Sequence, residues 1–127
     1  MTVLVVDDHE EFRGIIRQIL RAEPGLTVAG EAGDGEAAVE EVRRHRPALV
    51  LMDVAMPRLD GFEATRRIKA LHPETKVLIL TVHTAEGYRE LARASGADGY
   101  LPKQEAIDRL IPAIRALLEG SVEPTGK

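Results

Sequence analysis

Asp7, Asp8, Asp53, Thr81 and Lys103 are the residues of this chain whose types and spacing can do chemistry. Each stands at the end of a short apolar run. Asp7 and Asp8 close "VLVV" (Val3 to Val6), and Asp53 closes "ALVLM" (Ala48 to Met52). Thr81 follows "KVLIL" (Lys76 to Leu80), and Lys103 follows "GYLP" (Gly99 to Pro102). If these runs are parallel strands of one sheet, their carboxyl ends share an edge, and ligands of open α/β sheets bind at that edge. Carboxylates packed there raise one another's proton affinity. A hard divalent cation relieves the conflict. Magnesium takes oxygen ligands and keeps several waters, so one or two direct carboxylates suffice. A lysine ammonium adds a further point charge. Together they suit a phosphoryl group, and a carboxylate can attack one to become an aspartyl phosphate. Asp53 has the best position for that role, on the run between the acid pair and Thr81.

The elements that must hold these residues alternate between two periods. The continuous apolar runs suit strands buried on both faces, as in a parallel sheet. "TVAGE" (Thr27 to Glu31) and "DGYLP" (Asp98 to Pro102) are weaker strands, as edges usually are. Between the strands lie helical patterns. Phe12, Ile15, Ile16, Ile19 and Leu20 mark one face of a first helix. Asp8 with Glu11 resembles a capping box for it. Asp34 is expected to cap a second helix that carries Ala38 and Val42 and ends before Pro47. Asp60 and Glu63 form a capping pair ahead of Phe62, Thr65, Ile68 and Leu71. A fourth helix, from about Thr84 to Ser95, is the weakest, with Leu91 as its main aliphatic anchor and Gly87 lowering its propensity. Ile107, Leu110, Ile111, Ile114, Leu117 and Leu118 form the last stripe, stopped by Gly120. Repeated strand-then-helix order implies a parallel sheet covered on both faces.

The chain has 127 residues, which fits one domain with a real core. There is no cysteine, so disulfides and thiolate metal sites are excluded. The start lacks a signal-peptide pattern, and no apolar run approaches membrane-spanning length. The expected compartment is the cytoplasm, with no membrane partner. A formal net charge of −4 argues against a broad nucleic-acid or anionic-lipid surface. The basic clusters "RRHR" and "RRIK" read as solvated helix faces. His9, His45, His72 and His83 show no metal-ligand spacing; the first three are expected in solvent, and His83 near the pocket.

In order along the chain, "VVDD" (Val5 to Asp8), "DVAMPRLDG" (Asp53 to Gly61), "LT" (Leu80, Thr81) and "GADGYLPK" (Gly96 to Lys103) resemble the receiver domain of two-component response regulators. The resemblance implies a flavodoxin-like (βα)5 fold, a doubly wound five-stranded parallel sheet in the order 2-1-3-4-5. It implies that residues 1–120 are the receiver and residues 121–127 a tail or the start of a linker. It makes Asp53 the phosphoacceptor, and Asp8, Asp53 and the backbone carbonyl of Ala55 direct Mg²⁺ ligands, with Asp7 acting through water. Thr81 would hydrogen-bond the phosphoryl group, and Lys103 would pair with one of its oxygens. Tyr100 holds the aromatic switch position, expected to turn inward with Thr81, while Ala55 and His83 stand where phosphoryl lifetime is tuned. The partner implied is a sensor histidine kinase, with homodimerisation on phosphorylation. "VVDDHEEFR" and "GYLPK" are similar to the branch that carries a LuxR-type helix-turn-helix after the receiver, so transcription is the expected output. This domain itself is not expected to touch nucleic acid.

Some residues depart from the family pattern. Gln104 follows Lys103 where many receivers have proline with a cis bond; here proline comes earlier, as Pro102, and either isomer of Leu101-Pro102 is open. Pro112 falls within the last stripe, so a late start or kink near Asp108 to Pro112 is expected. Other functions fit less well. A magnesium-dependent aspartyl-phosphate hydrolase needs an acid two residues after its nucleophile, where this chain has Ala55. A stand-alone receiver acting by protein–protein interaction is the alternative to one that belongs to a longer regulator; a phosphorylation-independent interaction module would not need the intact acids, Thr81 and Lys103. No glycine-rich loop follows the first strand to hold a nucleotide.

Overall fold

The computed structural model describes residues 1–83 and 86–120; the expected tail at 121–127 lies outside them. The order is β1 (Thr2–Val6), α1 (Glu10–Arg21), β2 (Thr27–Ala32), α2 (Gly35–His45), β3 (Leu49–Met52), α3 (Gly61–Leu71), β4 (Lys76–Thr81), α4 (Glu86–Ala94), β5 (Gly99–Pro102), a 3-10 turn (Lys103–Glu105) and α5 (Ala106–Glu119). All strand pairs are parallel, in the order β2-β1-β3-β4-β5. This is the expected flavodoxin-like sheet, with the central strands β1, β3 and β4 apolar on both faces.

Strand alternation divides the core into two layers. Val3, Val5, Leu49 and Leu51 face α1 and α5, where Ile16, Leu20, Leu110 and Ile114 meet them. Leu4, Val6, Val50 and Met52 face the other way, onto Val42, Ile68 and Ala92 of α2, α3 and α4. Reversal of strand order between β1 and β3 leaves a crevice above their carboxyl ends.

Helix caps follow the sequence in two cases and depart from it in a third. Asp34 accepts a hydrogen bond from Ala37 N, and Asp60 one from Glu63 N. The capping box at Asp8 and Glu11 does not form. His9 is the N-cap of α1, and no side chain caps there. Asp8 is left solvent-exposed among the other acids.

Several apolar assignments shift. Leu71, Leu91 and Ile107 are 65%, 45% and 80% exposed, so α4 is anchored by the buried Ala92 rather than by Leu91. The start of α4 expected near Thr84 lies outside the described residues. His72, expected in solvent, is buried at the end of α3, where its carbonyl accepts from Thr75 N. α5 has no late start: it follows the 3-10 turn at once and continues through Pro112. Burial of Leu110, Ala113 and Ile114 around the proline holds that helix in place. Asp108, whose carbonyl loses its partner, sits on the exposed side where water can serve it. The Leu101-Pro102 bond is trans.

Gly61 closes the β3–α3 loop onto the end of β3. Its N–H bonds the Val54 carbonyl, and a Cβ there would lie 2.0 Å from the Asp53 carbonyl oxygen. Backbone must move to admit a methyl group. Gly61→Ala is therefore expected to lower stability by at least about 2 kcal/mol in urea unfolding, as overpacked sites do. Gly87→Ala, with open space around it, should gain about 0.5 kcal/mol. Equal effects would contradict the close approach.

Candidate acid pocket at the strand ends

The hydrogen-bond ladder runs one residue beyond the strands and fixes both buried aspartates. Asp7 N donates to Ala32 O at 3.0 Å, and Asp53 N donates to Val6 O at 3.0 Å. Arg13 on α1 donates to the Asp7 carbonyl at 2.5 Å and to Glu31 of β2 at 2.9 Å, tying the end of β1 to its neighbours. Asp7 and Asp53 are 2% and 4% exposed. The side-chain oxygens of Asp7, Asp8 and Asp53, with one ring nitrogen of His9, lie within 4.8 Å of one another.

Lys103 reaches this cluster from the 3-10 turn after β5. Its Nζ is 2.5 Å from Asp7 Oδ2 and 3.7 Å from Asp53 Oδ1. It also lies 4.3 Å above the Phe12 ring, a cation–π contact that holds the ammonium from its apolar side. The amine therefore reaches the pocket without a cis Lys-Pro bond.

One ammonium does not balance the acids. Burial, and then the charge of Asp7, push the Asp53 carboxyl from the usual 3.8 up to about 6; Lys103 and the Val54 N–H pull the other way. The donor set is mainly carboxylate oxygen and open to solvent at Asp8. It fits a hydrated divalent cation such as Mg²⁺. Ala55 is exposed two residues beyond Asp53.

Thr81, fully buried, ends β4 beside Pro102 of β5. Its hydroxyl accepts from His83 N at 3.1 Å, and the Tyr100 hydroxyl donates to the His83 carbonyl. Thr81 and Tyr100 are thus joined through one peptide segment. The His83 ring stacks on Tyr88 at 4.6 Å, and Arg89 lies 4.7 Å over the Tyr100 ring. His83 enters the site through its backbone.

Four contributors were not legible as site residues. His9 is exposed, as expected, but its Nδ1 lies 3.1 Å from Asp8. Its place directly after the acid pair was the available signal. Phe12 fits the helix face by periodicity, and Arg13 stands in "VVDDHEEFR" with no local sign of its contacts at the pocket. Arg58, at φ 67°, pairs with Asp34 at 2.6 Å and pins the β3–α3 loop to the start of α2.

Residues 3–115 match the family described as the response regulator receiver domain. The transcriptional regulatory protein DegU of Brevibacillus brevis is 40% identical over 118 residues, covering 93% of this chain and 50% of that protein. The response regulator UvrY of Escherichia coli K12 is 42% identical over 120 residues, covering 94% of this chain and 55% of that one. The chain thus spans about half the length of these curated relatives. A LuxR-family two-component response regulator from Aurantimonas sp. SI85-9A1 superposes with a TM-score of 0.90 at 34% identity, covering 97% of this chain and 89% of that one. Fold, acid pocket and relatives agree: the chain belongs to the response regulator receiver domain family of two-component signalling, and it is similar to receivers of the LuxR-type branch.

Proposed function

We propose that this domain is a phosphorylation-controlled switch in which Asp53 accepts a phosphoryl group from a sensor histidine kinase and thereby controls transcription. The observation that carries the reading is the under-compensated acid pocket: two buried aspartates, an exposed third and a single lysine at one strand edge. Asp8, Asp53 and the Ala55 carbonyl would hold Mg²⁺, with Asp7 acting through water. Bound there, Mg²⁺ supplies the positive charge that the carboxylates and phosphoryl oxygens need.

The chain's own residues do the rest. An Asp53 carboxylate oxygen attacks phosphorus while the bond to the donor's histidine nitrogen breaks, and the donor keeps that electron pair. Lys103 turns from Asp7 toward a phosphoryl oxygen, and the Phe12 ring keeps its ammonium in range. The Thr81 hydroxyl leaves His83 N and donates to another phosphoryl oxygen. Loss of that contact loosens the segment that also holds Tyr100, which turns inward. The output is a DNA-binding domain like those of the LuxR-type branch, and phosphorylation promotes a homodimer. Among the described residues no helix is long and apolar enough to cross a membrane. Turnover of external phosphate esters is not expected, because Ala55 offers no acid to protonate a leaving group.

Incubation with Mg²⁺ and acetyl phosphate should add one phosphoryl mass to the wild type and none to Asp53→Asn, read by intact mass. Absence of an adduct with any donor, or an adduct that persists in the mutant, contradicts the reading. Removal of Mg²⁺ by chelation should abolish the adduct.

The pocket also has a pH signature. The folded-state pKa of Asp53 is raised from 3.8 to about 6, so the folded protein holds an extra proton between those values. Stability falls as pH rises through that window, because the ionised form is the costly one. In chelated buffer, Asp53→Asn should therefore be more stable than wild type above pH 6, by about 2–3 kcal/mol at pH 7.5. The gain should fade near pH 4. A gain that does not change with pH in urea midpoints would place the burial cost elsewhere.

A further inference from the structure

The loop between β3 and α3 is strained at a residue that points away from the acids. Leu59 N donates to the Pro57 carbonyl at 2.8 Å, so Arg58 is the centre of a γ-turn. Its φ of 67° belongs to the rare, strained form of that turn, where glycine or asparagine is the usual residue. Such strain persists only where neighbouring contacts over-determine it.

Those contacts come from the start of α2. Nε and Nη2 of Arg58 both donate to Asp34 Oδ2, at 3.1 and 2.6 Å. Asp34 Oδ1 accepts from Ala37 N at 2.8 Å, so the carboxylate is already fixed as the N-cap of α2. The Ala37 N–H, and then Arg58, hold that carboxyl below the usual carboxylate range. Surface ion pairs gain little when two mobile side chains must be ordered to make them. Here the Asp34 side chain is 13% exposed and ordered beforehand by its cap. The same helix start meets the loop a second time: a Cβ on Gly35 would lie 2.0 Å from the Leu59 carbonyl oxygen. Arg58 and Leu59 are therefore seated on α2, while Gly61 N bonds Val54 O on the other side of the loop. Ala55, Met56 and Pro57 lie between these anchors.

Ala55 is the residue whose carbonyl the proposed metal site uses. We propose that the Asp34–Arg58 pair is a latch that positions this carbonyl for the cation, so that the start of α2 helps to set Mg²⁺ affinity. Neither residue is a metal ligand; both are positioning residues that act through the Ala55 backbone. The inference rests on the proposed metal site and goes beyond it by naming what holds one of its ligands in place.

Mg²⁺ titration calorimetry on the full chain reads the latch, with Asp34→Asn, Arg58→Gly and the double variant beside wild type and Asp8→Asn. Asparagine keeps the cap without the charge. Glycine takes the positive φ without strain and has no side chain to pair. Wild type should bind Mg²⁺ in an Asp8-dependent way. Each latch variant should raise the dissociation constant about tenfold, the low end of what loss of a partner behind a metal ligand costs. The double variant should do no worse than either single one, because all three break one contact. The urea midpoint of Arg58→Gly without metal should stay at the wild-type value or rise, since strain is relieved; a purely structural role would lower midpoint and affinity together. Unchanged affinity in the single variants overturns the latch and leaves the metal pocket standing. So do losses that add in the double variant, or a loss in Arg58→Gly that comes with a lower midpoint. A lack of any Asp8-dependent Mg²⁺ binding overturns both the latch and the metal pocket beneath it.

Discussion

Asp7 and Asp53 are buried side by side with one ammonium, Lys103, between them, and the rest of the molecule is arranged around that imbalance. Two ionised carboxylates out of water are costly, and one cation at 2.5 Å from the first and 3.7 Å from the second offsets only part of the cost. The protein does not let the acids move apart. Ladder bonds beyond the strand ends fix their backbones, and Arg13 holds the Asp7 carbonyl. Gly61 draws the following loop down onto the Asp53 peptide. Lys103 in turn rests on Phe12. A pocket held in this way, and short of positive charge, suits a cation and an anion together, which is what the proposed phosphoryl transfer onto Asp53 requires.

A change in that charge balance has a short path outward. Thr81 lies on the strand next to Asp53, and its hydroxyl holds His83 N. The Tyr100 hydroxyl holds the other end of the same segment. The helix beyond, α4, buries only Ala92 among its described residues and is otherwise anchored by rings and cation–π contact at its edge. A helix so lightly packed is the element that can shift at least cost. In the proposed switch, a hydrogen bond gained at Thr81 therefore weighs against few contacts in α4.

The sheet was legible because its central strands are apolar throughout, which leaves only a two-faced parallel sheet as an explanation. The caps at Asp34 and Asp60 were legible because nothing else competes for those carboxylates. Asp8 was misread as a cap for the opposite reason: the charge cluster claims it, a tertiary effect invisible to local pattern. Ile107 and Leu91 fit helical stripes yet face solvent, since periodicity marks a face without saying how far the neighbouring element extends over it. Pro112 is tolerated because packing on both sides outweighs one lost hydrogen bond. Of the pocket, strand-end position marks the acids, while Thr81 and Lys103 stand out only in the context of those acids and of one another. Phe12, Arg13 and the Arg58–Asp34 pair could not be found in this way, because each acts through contacts between separate elements, whereas His9 touches its own neighbours Asp7 and Asp8.

A crystal structure of the protein with Mg²⁺ and beryllium fluoride tests the central claim most directly. The account predicts beryllium on an Asp53 oxygen, Mg²⁺ beside it on Asp8, and Lys103 drawn from Asp7 to a fluorine, with Thr81 released from His83. Beryllium fluoride bound elsewhere, or Lys103 still seated on Asp7 with Asp53 unmodified, would contradict it.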